Sequence, residues 1–332
     1  MHISVTYPLA AGQLVLRTEA DWERDILPSE VSATGARFTI EMDSPTLALR
    51  PCIREGDAIR WARGANYVIR ATEPEPLLFP FFYAEARGRL SDVIHLQAES
   101  GVHAIRVYHP PGYDENTLRR YPVIYMHDGQ NLFFPQEVFQ GEEWRVDETL
   151  DCLDDLALLR KALVVGVAPA DRMREYTMPG YDAYARFMAD RLKPLVDARL
   201  RTRPGPRDTV VMGSSLGGVA SLHLAWSRPD LFGRAACLSS TFGYRDDLFE
   251  RIAAEPRPDI LIYLDSGGAR DNYETTNAMR DLLMRRGFRL GAELLHFSFP
   301  EASHDEHPWS IRAHLPFQFF LGRPWLAQRG EL

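Results

Sequence analysis

The chain passes from Asp208-Thr-Val-Val-Met-Gly directly into Ser-Ser-Leu-Gly-Gly-Val-Ala-Ser-Leu-His-Leu-Ala, and this junction constrains the fold more than any other stretch. Thr209 to Met212 are apolar or β-branched and read as a short buried strand, and a helical pattern starts at once behind Gly217. Only a sharp turn fits between the two. That turn leaves Ser215 in a strained backbone position, with Gly213 and Gly217 standing where a side chain would crowd strand against helix. The serine hydroxyl is therefore pushed out at the top of a sheet, and the N–H of Leu216 opens the helix behind it.

The remainder of the chain supplies such a sheet. From about residue 90, apolar runs alternate with helix-period segments. The runs are Val93–Leu96, Val102–Tyr108, Tyr121–Met126, Ala162–Val167, Thr209–Met212, Arg234–Leu238, Asp259–Leu264 and Glu293–Phe299, and the helical segments lie near 145–160, 182–200, 217–228, 272–286 and 308–318. Near-continuous Val/Ile/Leu runs suit parallel strands buried on both faces, so residues 91–332 are expected to form an open, mostly parallel α/β sheet. Residues 1–90 read differently. Short alternating runs at Phe38–Met42, Leu47–Arg50, Ala58–Trp61 and Tyr67–Arg70 are separated by Gly and Asp turns, which predicts a small N-terminal β-sandwich. Leu77-Leu-Phe-Pro-Phe-Phe-Tyr cannot be a helix and is too apolar for a free linker. It is expected to be a packed strap between the domains, fixing the N-terminal domain over the active site. The turn around Trp61 loosely resembles that of starch-binding-type β-sandwich modules; a core or inter-domain role for Trp61 outweighs sugar stacking.

Bulk properties narrow the function classes. A formal net charge of −8 disfavours nucleic acid or an anionic membrane as partner. Cys52, Cys152 and Cys237 are far apart and odd in number, which fits free thiols in a reducing compartment. No apolar run is long enough to span a membrane, and the N-terminal residues lack a signal-peptide pattern, so a cytoplasmic location is expected.

In open α/β sheets ligands bind beyond the carboxyl ends of the strands, so the residues following each strand carry the chemistry. Gly213-Ser-Ser-Leu-Gly217 is a G-x-S-x-G elbow in the strand–turn–helix setting that gives it meaning. His127-Asp-Gly-Gln-Asn follows one strand and suits an oxyanion donor, placed at the N–H of Gln130 beside that of Leu216. Asp265-Ser-Gly-Gly-Ala-Arg-Asp271 follows another and holds two candidate acids. Ser303-His304-Asp-Glu-His307-Pro-Trp309 follows the last. The order Ser, Asp, His is that of α/β-hydrolases. A serine hydroxyl needs an adjacent base, His304 can take and return its proton, and an aspartate can hold the imidazole tautomer. Trp144, Trp309 and Asp128 are candidate substrate contacts, although Asp128, Asp147, Arg174 and Glu175 equally suit structural ion pairs. His127 and His304-x-x-His307 lack the accompanying ligands of a metal site. No metal or cofactor is expected.

Tyr125-Met-His-Asp-Gly-Gln-Asn-Leu-Phe133, Glu142-Glu-Trp-Arg-Val-Asp-Glu-Thr-Leu150, Asp171-Arg-Met-Arg-Glu-Tyr176, the elbow and His304-Asp-Glu-His-Pro-Trp309 resemble the putative-esterase family of α/β-hydrolases. That family includes esterase D, enterochelin esterases, feruloyl and acetylxylan esterases and mycolyltransferases. The resemblance spans about residues 95–322, and the N-terminal β-module resembles the one siderophore esterases carry. It implies Ser215 as nucleophile, His304 as base, and the N–H groups of Leu216 and Gln130 as oxyanion hole. It also selects Asp271 over Asp265 as the acid, although the turn Ser-Gly-Gly-Ala-Arg-Asp departs from the family's commoner Gly-Thr-x-Asp/Glu. The expected function is hydrolysis of a small-molecule ester, of siderophore- or sugar-ester type, with a homodimer left open. An acyltransferase of the same fold and a non-catalytic glycan- or siderophore-binding protein are the alternatives.

Overall fold

The computed structural model describes residues 1–138 and 142–322. The chain divides into two compact units. The first takes in Met1–Gly88, Pro110–Arg120 and Asp151–Leu158. Its strands are β1 (His2–Thr6), β2 (Gln13–Thr18), β3 (Asp21–Ile26), β4 (Glu30–Ser32), β5 (Gly35–Thr39), β6 (Thr46–Glu55), β7 (Ala58–Trp61), β8 (Tyr67–Arg70) and β9 (Leu77–Leu78). Among the described residues they form a four-stranded sheet, β4-β5-β1-β9, and a five-stranded one, β3-β2-β6-β7 with β8 also on β6. The long β6 serves two partners, its first half pairing with β8 and its second with β7. The period-2 alternation of strands turns Ile3, Val5, Leu14, Leu16, Phe38, Leu49 and Ile53 into one shared core, which makes this unit a β-sandwich. Gly56 takes a positive φ of 61° in the two-residue turn that links Glu55 to its partner Ala58.

The apolar strap belongs to this unit. Leu78 and Phe82 sit in its core. The Glu115 carboxylate accepts hydrogen bonds from the backbone N–H of Phe82 (2.6 Å), Tyr83 (2.9 Å) and Ala84 (2.7 Å), and from the Tyr7 hydroxyl (2.8 Å). Trp61 is half-buried, tilted against Trp22 at 6.2 Å with the Arg17 guanidinium 5.2 Å from its ring. Trp22 and Trp61 are not coplanar, at 58° to one another.

The second unit comprises Arg89–His109, Tyr121–Leu150 and Leu159–Leu332. Its strands are β10 (Arg89–Leu90), β11 (Ile94–Ala98), β12 (Gly101–His109), β13 (Val123–His127), β14 (Leu163–Ala168), β15 (Thr209–Ser214), β16 (Arg234–Leu238), β17 (Leu261–Ser266) and β18 (Leu294–Ser298). They run in the order β10-β12-β14-β13-β15-β16-β17-β18, with β11 on β12. From β14 to β18 every pairing is parallel, and β12 joins β14 antiparallel. The helices are α1 (Val146–Asp155), α2 (Arg172–Glu175), α3 (Tyr181–Phe187), α4 (Lys193–Arg199), α5 (Leu216–Ser227), α6 (Leu248–Ala254), α7 (Tyr273–Arg285), α8 (Glu306–Arg312) and α9 (His314–Leu321). This is the α/β-hydrolase arrangement, and β13, β14 and β15 are buried almost throughout, as central strands must be.

Two helices differ from expectation in kind. The segment read as one helix over 182–200 opens into a π-turn at Met188–Leu192 just ahead of Pro194, which lacks an N–H and whose ring crowds the preceding turn. α5 is buried from Leu216 to Trp226, so it has no polar stripe at all. Cys52 and Cys237 are buried and Cys152 is exposed, none of them bonded to another.

Candidate active site

The elbow forms where the sequence places it. Ser215 has φ 54° and ψ −121°, a conformation an L-residue holds only when its surroundings enforce it. The enforcing contacts are visible. A Cβ on Gly213 would lie 2.7 Å from the carbonyl carbon of Gly217, so strand and helix pass too closely for any side chain there. The Ser215 N–H is held by the Leu238 carbonyl at 2.9 Å, the last residue of β16. Leu216 follows as the first residue of α5, where helix geometry leaves the N–H without an intrahelical partner.

His304 stands over the serine. Its Nε2 is 2.9 Å from Ser215 Oγ, and its Nδ1 is 2.5 Å from Asp271 Oδ1. An ionised carboxylate can only accept, so Nδ1 carries the proton and the Nε2 lone pair faces the serine hydroxyl. Asp271 is fully buried, and its other oxygen accepts from Ser239 Oγ (2.5 Å) and from the N–H of Gly267 (2.5 Å). The unusual Ser-Gly-Gly turn is explained here, because a Cβ on Gly267 would collide with the Ala302 carbonyl and with Asp271 itself. Asp265, the other candidate acid, does not reach His304. It is fully buried one layer down, bonded to Tyr263 (2.8 Å) and Arg312 (3.2 Å), and burial pushes its carboxyl up to about 6.

The loop after β13 packs beside the elbow. Gln130 lies in a single 3₁₀ turn, Gly129–Asn131, entered through Asp128 at φ 54°. Gly129 must be glycine, since a Cβ would stand 2.5 Å from the Val167 nitrogen of β14. A Cβ on Gly217 would lie 3.3 Å from Asp128 Oδ2, which shows how tightly this loop and the start of α5 are apposed. The Asp128 carboxylate itself is held by Arg172 in a fork of 2.8 and 3.0 Å. Its geometry is thus that of a structural pair. His127 is buried with Nδ1 2.9 Å from the Tyr184 hydroxyl, and burial holds it down at about 3, so it is neutral. His307 lies on the surface against Glu142 at 3.0 Å. Among the described residues no three His, Cys, Asp or Glu side chains gather as a metal site would require.

Trp309 packs its ring edge-on against His304, with centroids 4.9 Å apart, and Trp144 lies 6.1 Å beyond it. Both indoles are buried. Residues the sequence did not single out complete the surround. Glu306 accepts from Asn131 Nδ2 (2.7 Å) and from Trp144, and burial pushes its carboxyl up to about 7. Ser239 and Arg312 stand behind Asp271. An arginine in the last helical segments carries no sequence signal that it is buried, so neither was legible.

The family model named Esterase, described as "Putative esterase", matches residues 101–311. The chain belongs to this family. It is a carboxylic ester hydrolase of α/β-hydrolase fold. The esterase is 22% identical over 201 residues to the uncharacterized protein YbbA of Bacillus subtilis (strain 168), covering 56% of this chain and 76% of that one. Among solved structures it is similar to a ferulic acid esterase, with a TM-score of 0.59 and 14% identity over 71% of this chain and 98% of the other. It is also similar to the enterobactin esterase FES from Shigella flexneri, with a TM-score of 0.56 and 14% identity over 93% of this chain and 87% of that one. At these identities the structural likenesses speak for the esterase's fold. No helix among the described residues is long and apolar enough to cross a membrane.

Proposed function

We propose that this esterase cleaves carboxylic esters through an acyl-enzyme on Ser215, with His304 as general base and acid and Asp271 as its orienting carboxylate. One observation carries the reading: Ser215, His304 and Asp271 stand in hydrogen-bond sequence at 2.9 and 2.5 Å, although 89 and 33 residues separate the partners. His304 takes the hydroxyl proton as Ser215 Oγ attacks the ester carbonyl, and returns it to the departing alcohol. A water activated by the same imidazole then opens the acyl-enzyme to acid and free serine. The N–H groups of Leu216 and Gln130 would meet the negative charge that develops on the carbonyl oxygen, the first aided by the positive end of α5. Trp309 keeps the imidazole from swinging, and Trp144 backs it. Asp128 serves the site through Arg172 and the oxyanion loop rather than by touching substrate.

The substrate class proposed is a siderophore- or sugar-type ester. Similarity to an enterobactin esterase along 93% of this chain supports the first, and similarity to a ferulic acid esterase supports a feruloyl acyl group for the second. The test is Ser215→Ala. It should lower kcat on p-nitrophenyl acetate by roughly 10³-fold or more, abolish labelling by a fluorophosphonate, and remove turnover of enterobactin and feruloyl esters alike. Labelling of another serine, or wild-type binding without turnover of any ester, overturns the proposal.

A further inference from the structure

Behind the triad acid lies a second buried ion pair that no step above uses. Arg312, at the end of α8, is buried, as is Asp265 at the end of β17. Arg312 Nη2 donates to Asp265 Oδ1 at 3.2 Å and to Ser239 Oγ at 2.9 Å, and is 3.8 Å from Asp271 Oδ2. An arginine nitrogen only donates, and a serine hydroxyl has one proton. Ser239 therefore accepts from Arg312, which leaves its own proton to point at Asp271 Oδ2. Ser239 is fixed in that attitude. Its φ is 44°, its N–H is bonded to the Asp265 carbonyl (2.8 Å), and its carbonyl accepts from Asn272 Nδ2 (2.7 Å). A serine forced into left-handed backbone at a strand end has a reason to be there.

The charges are as informative as the bonds. Asp265, Asp271 and Arg312 together carry one net negative charge, which becomes zero when His304 gains its proton during reaction. Without Asp265 the same site would be neutral at rest and positive with the imidazolium, and because Asp265, Asp271 and Arg312 are buried such an imbalance beside them is costly. The groups facing Asp265 are Arg312, the Tyr263 hydroxyl, Asp271 and the Cys237 thiol, the last kept neutral by burial.

Resting on the triad proposed above, we infer that Asp265, Arg312 and Ser239 are positioning residues for that triad: Ser239 fixes Asp271 toward His304, and Asp265 cancels the Arg312 charge so that Asp271 can support the imidazolium. The carboxylate that the sequence offers as a rival acid thus acts one layer behind the proposed one. Two variants test it. Asp265→Asn should lower kcat roughly tenfold or more with KM unchanged, the scale of one unit charge acting through an effective dielectric constant of about 20. Its activity should also persist to lower pH than wild type, because no second acid is left to titrate. Tyr263→Phe removes a donor that favours the Asp265 anion. It should keep the wild-type plateau and lose activity at higher pH, by roughly half a unit to one unit. The two shifts are opposite in sign, which a loss of packing would not produce. Wild-type pH profiles in both variants, or a lowered melting temperature as their only effect, overturn the inference. If Asp265→Asn does not fold, Tyr263→Phe decides alone. Full activity in Ser215→Ala would sink the triad reading instead, so the two failures are distinguishable.

Discussion

Glu115→Ala should unfasten the strap of the N-terminal unit, and the size of the effect can be worked from its four hydrogen bonds. The carboxylate accepts from three successive amides, Phe82, Tyr83 and Ala84, and from Tyr7. Tyr83 is exposed and Ala84 half-buried, so water can replace the carboxylate at those two. Phe82 and Tyr7 are buried at 1% and 5% exposure, and their donors would be left without a partner. A hydrogen bond to a charged group is worth about 1.5–3 kcal/mol, and orphaning a buried donor costs a similar amount. Two such losses give about 3–6 kcal/mol, a large share of the roughly 5–15 kcal/mol that holds a domain folded. Hydrogen exchange read on peptides spanning residues 78–85 is the direct assay. Every 1.4 kcal/mol being tenfold, protection there should fall by about two to four decades. Glu115→Gln, which keeps one acceptor oxygen but no charge, should fall between. Exchange in Glu115→Ala within twofold of wild type would show that the carboxylate does not hold these amides, and the reasoning would fail.

Asp271→Asn should lower kcat by about 10⁴-fold with little change in KM, since the amide would hold His304 in the wrong tautomer; steady-state kinetics on a p-nitrophenyl ester would check it, and a loss below tenfold would remove Asp271 from the triad. Glu306→Gln should flatten the pH dependence of stability. The folded-state carboxyl is raised by burial from 4.5 to about 7, so its contribution is fully present below 4.5 and is lost as pH rises through 7. Urea midpoints measured from pH 4.5 to 7.5 should fall less steeply in the variant than in wild type.

Strands β11 to β18 of the second unit and the three loops that bear Ser215, Asp271 and His304 were legible because each depends on local rules. A Val/Ile run bounded by Gly and Asp announces a buried parallel strand, and the elbow glycines are demanded by a 2.7 Å approach between strand and helix. β1 to β3 were not read. His2–Thr6 does alternate, but Asp21–Ile26 carries four charged residues on its six positions, which hides its strand character. α2 and α6 are too short for a 3.6-residue period to show. The ion pairs were beyond reach for a different reason. Asp128 with Arg172 and Asp265 with Arg312 join residues 44 and 47 positions apart, and nothing in one sequence says which acid meets which base.

β16 carries none of Ser215, Asp271 and His304, yet its end anchors two of the three. The Leu238 carbonyl holds the Ser215 N–H, Ser239 holds Asp271, and the Thr241 N–H returns to the Ser215 carbonyl at 3.3 Å. For anyone wishing to retarget this enzyme, the chain is therefore unevenly editable. Residues 238–241 act as a jig on which Ser215 and Asp271 are both clamped, so an insertion there moves two parts of the proposed machinery at once. The exposed two-residue turn at Gly56–Asp57, where a Cβ on Gly56 would meet nothing within 4 Å, offers a place where a library can vary length and charge while the jig stays set.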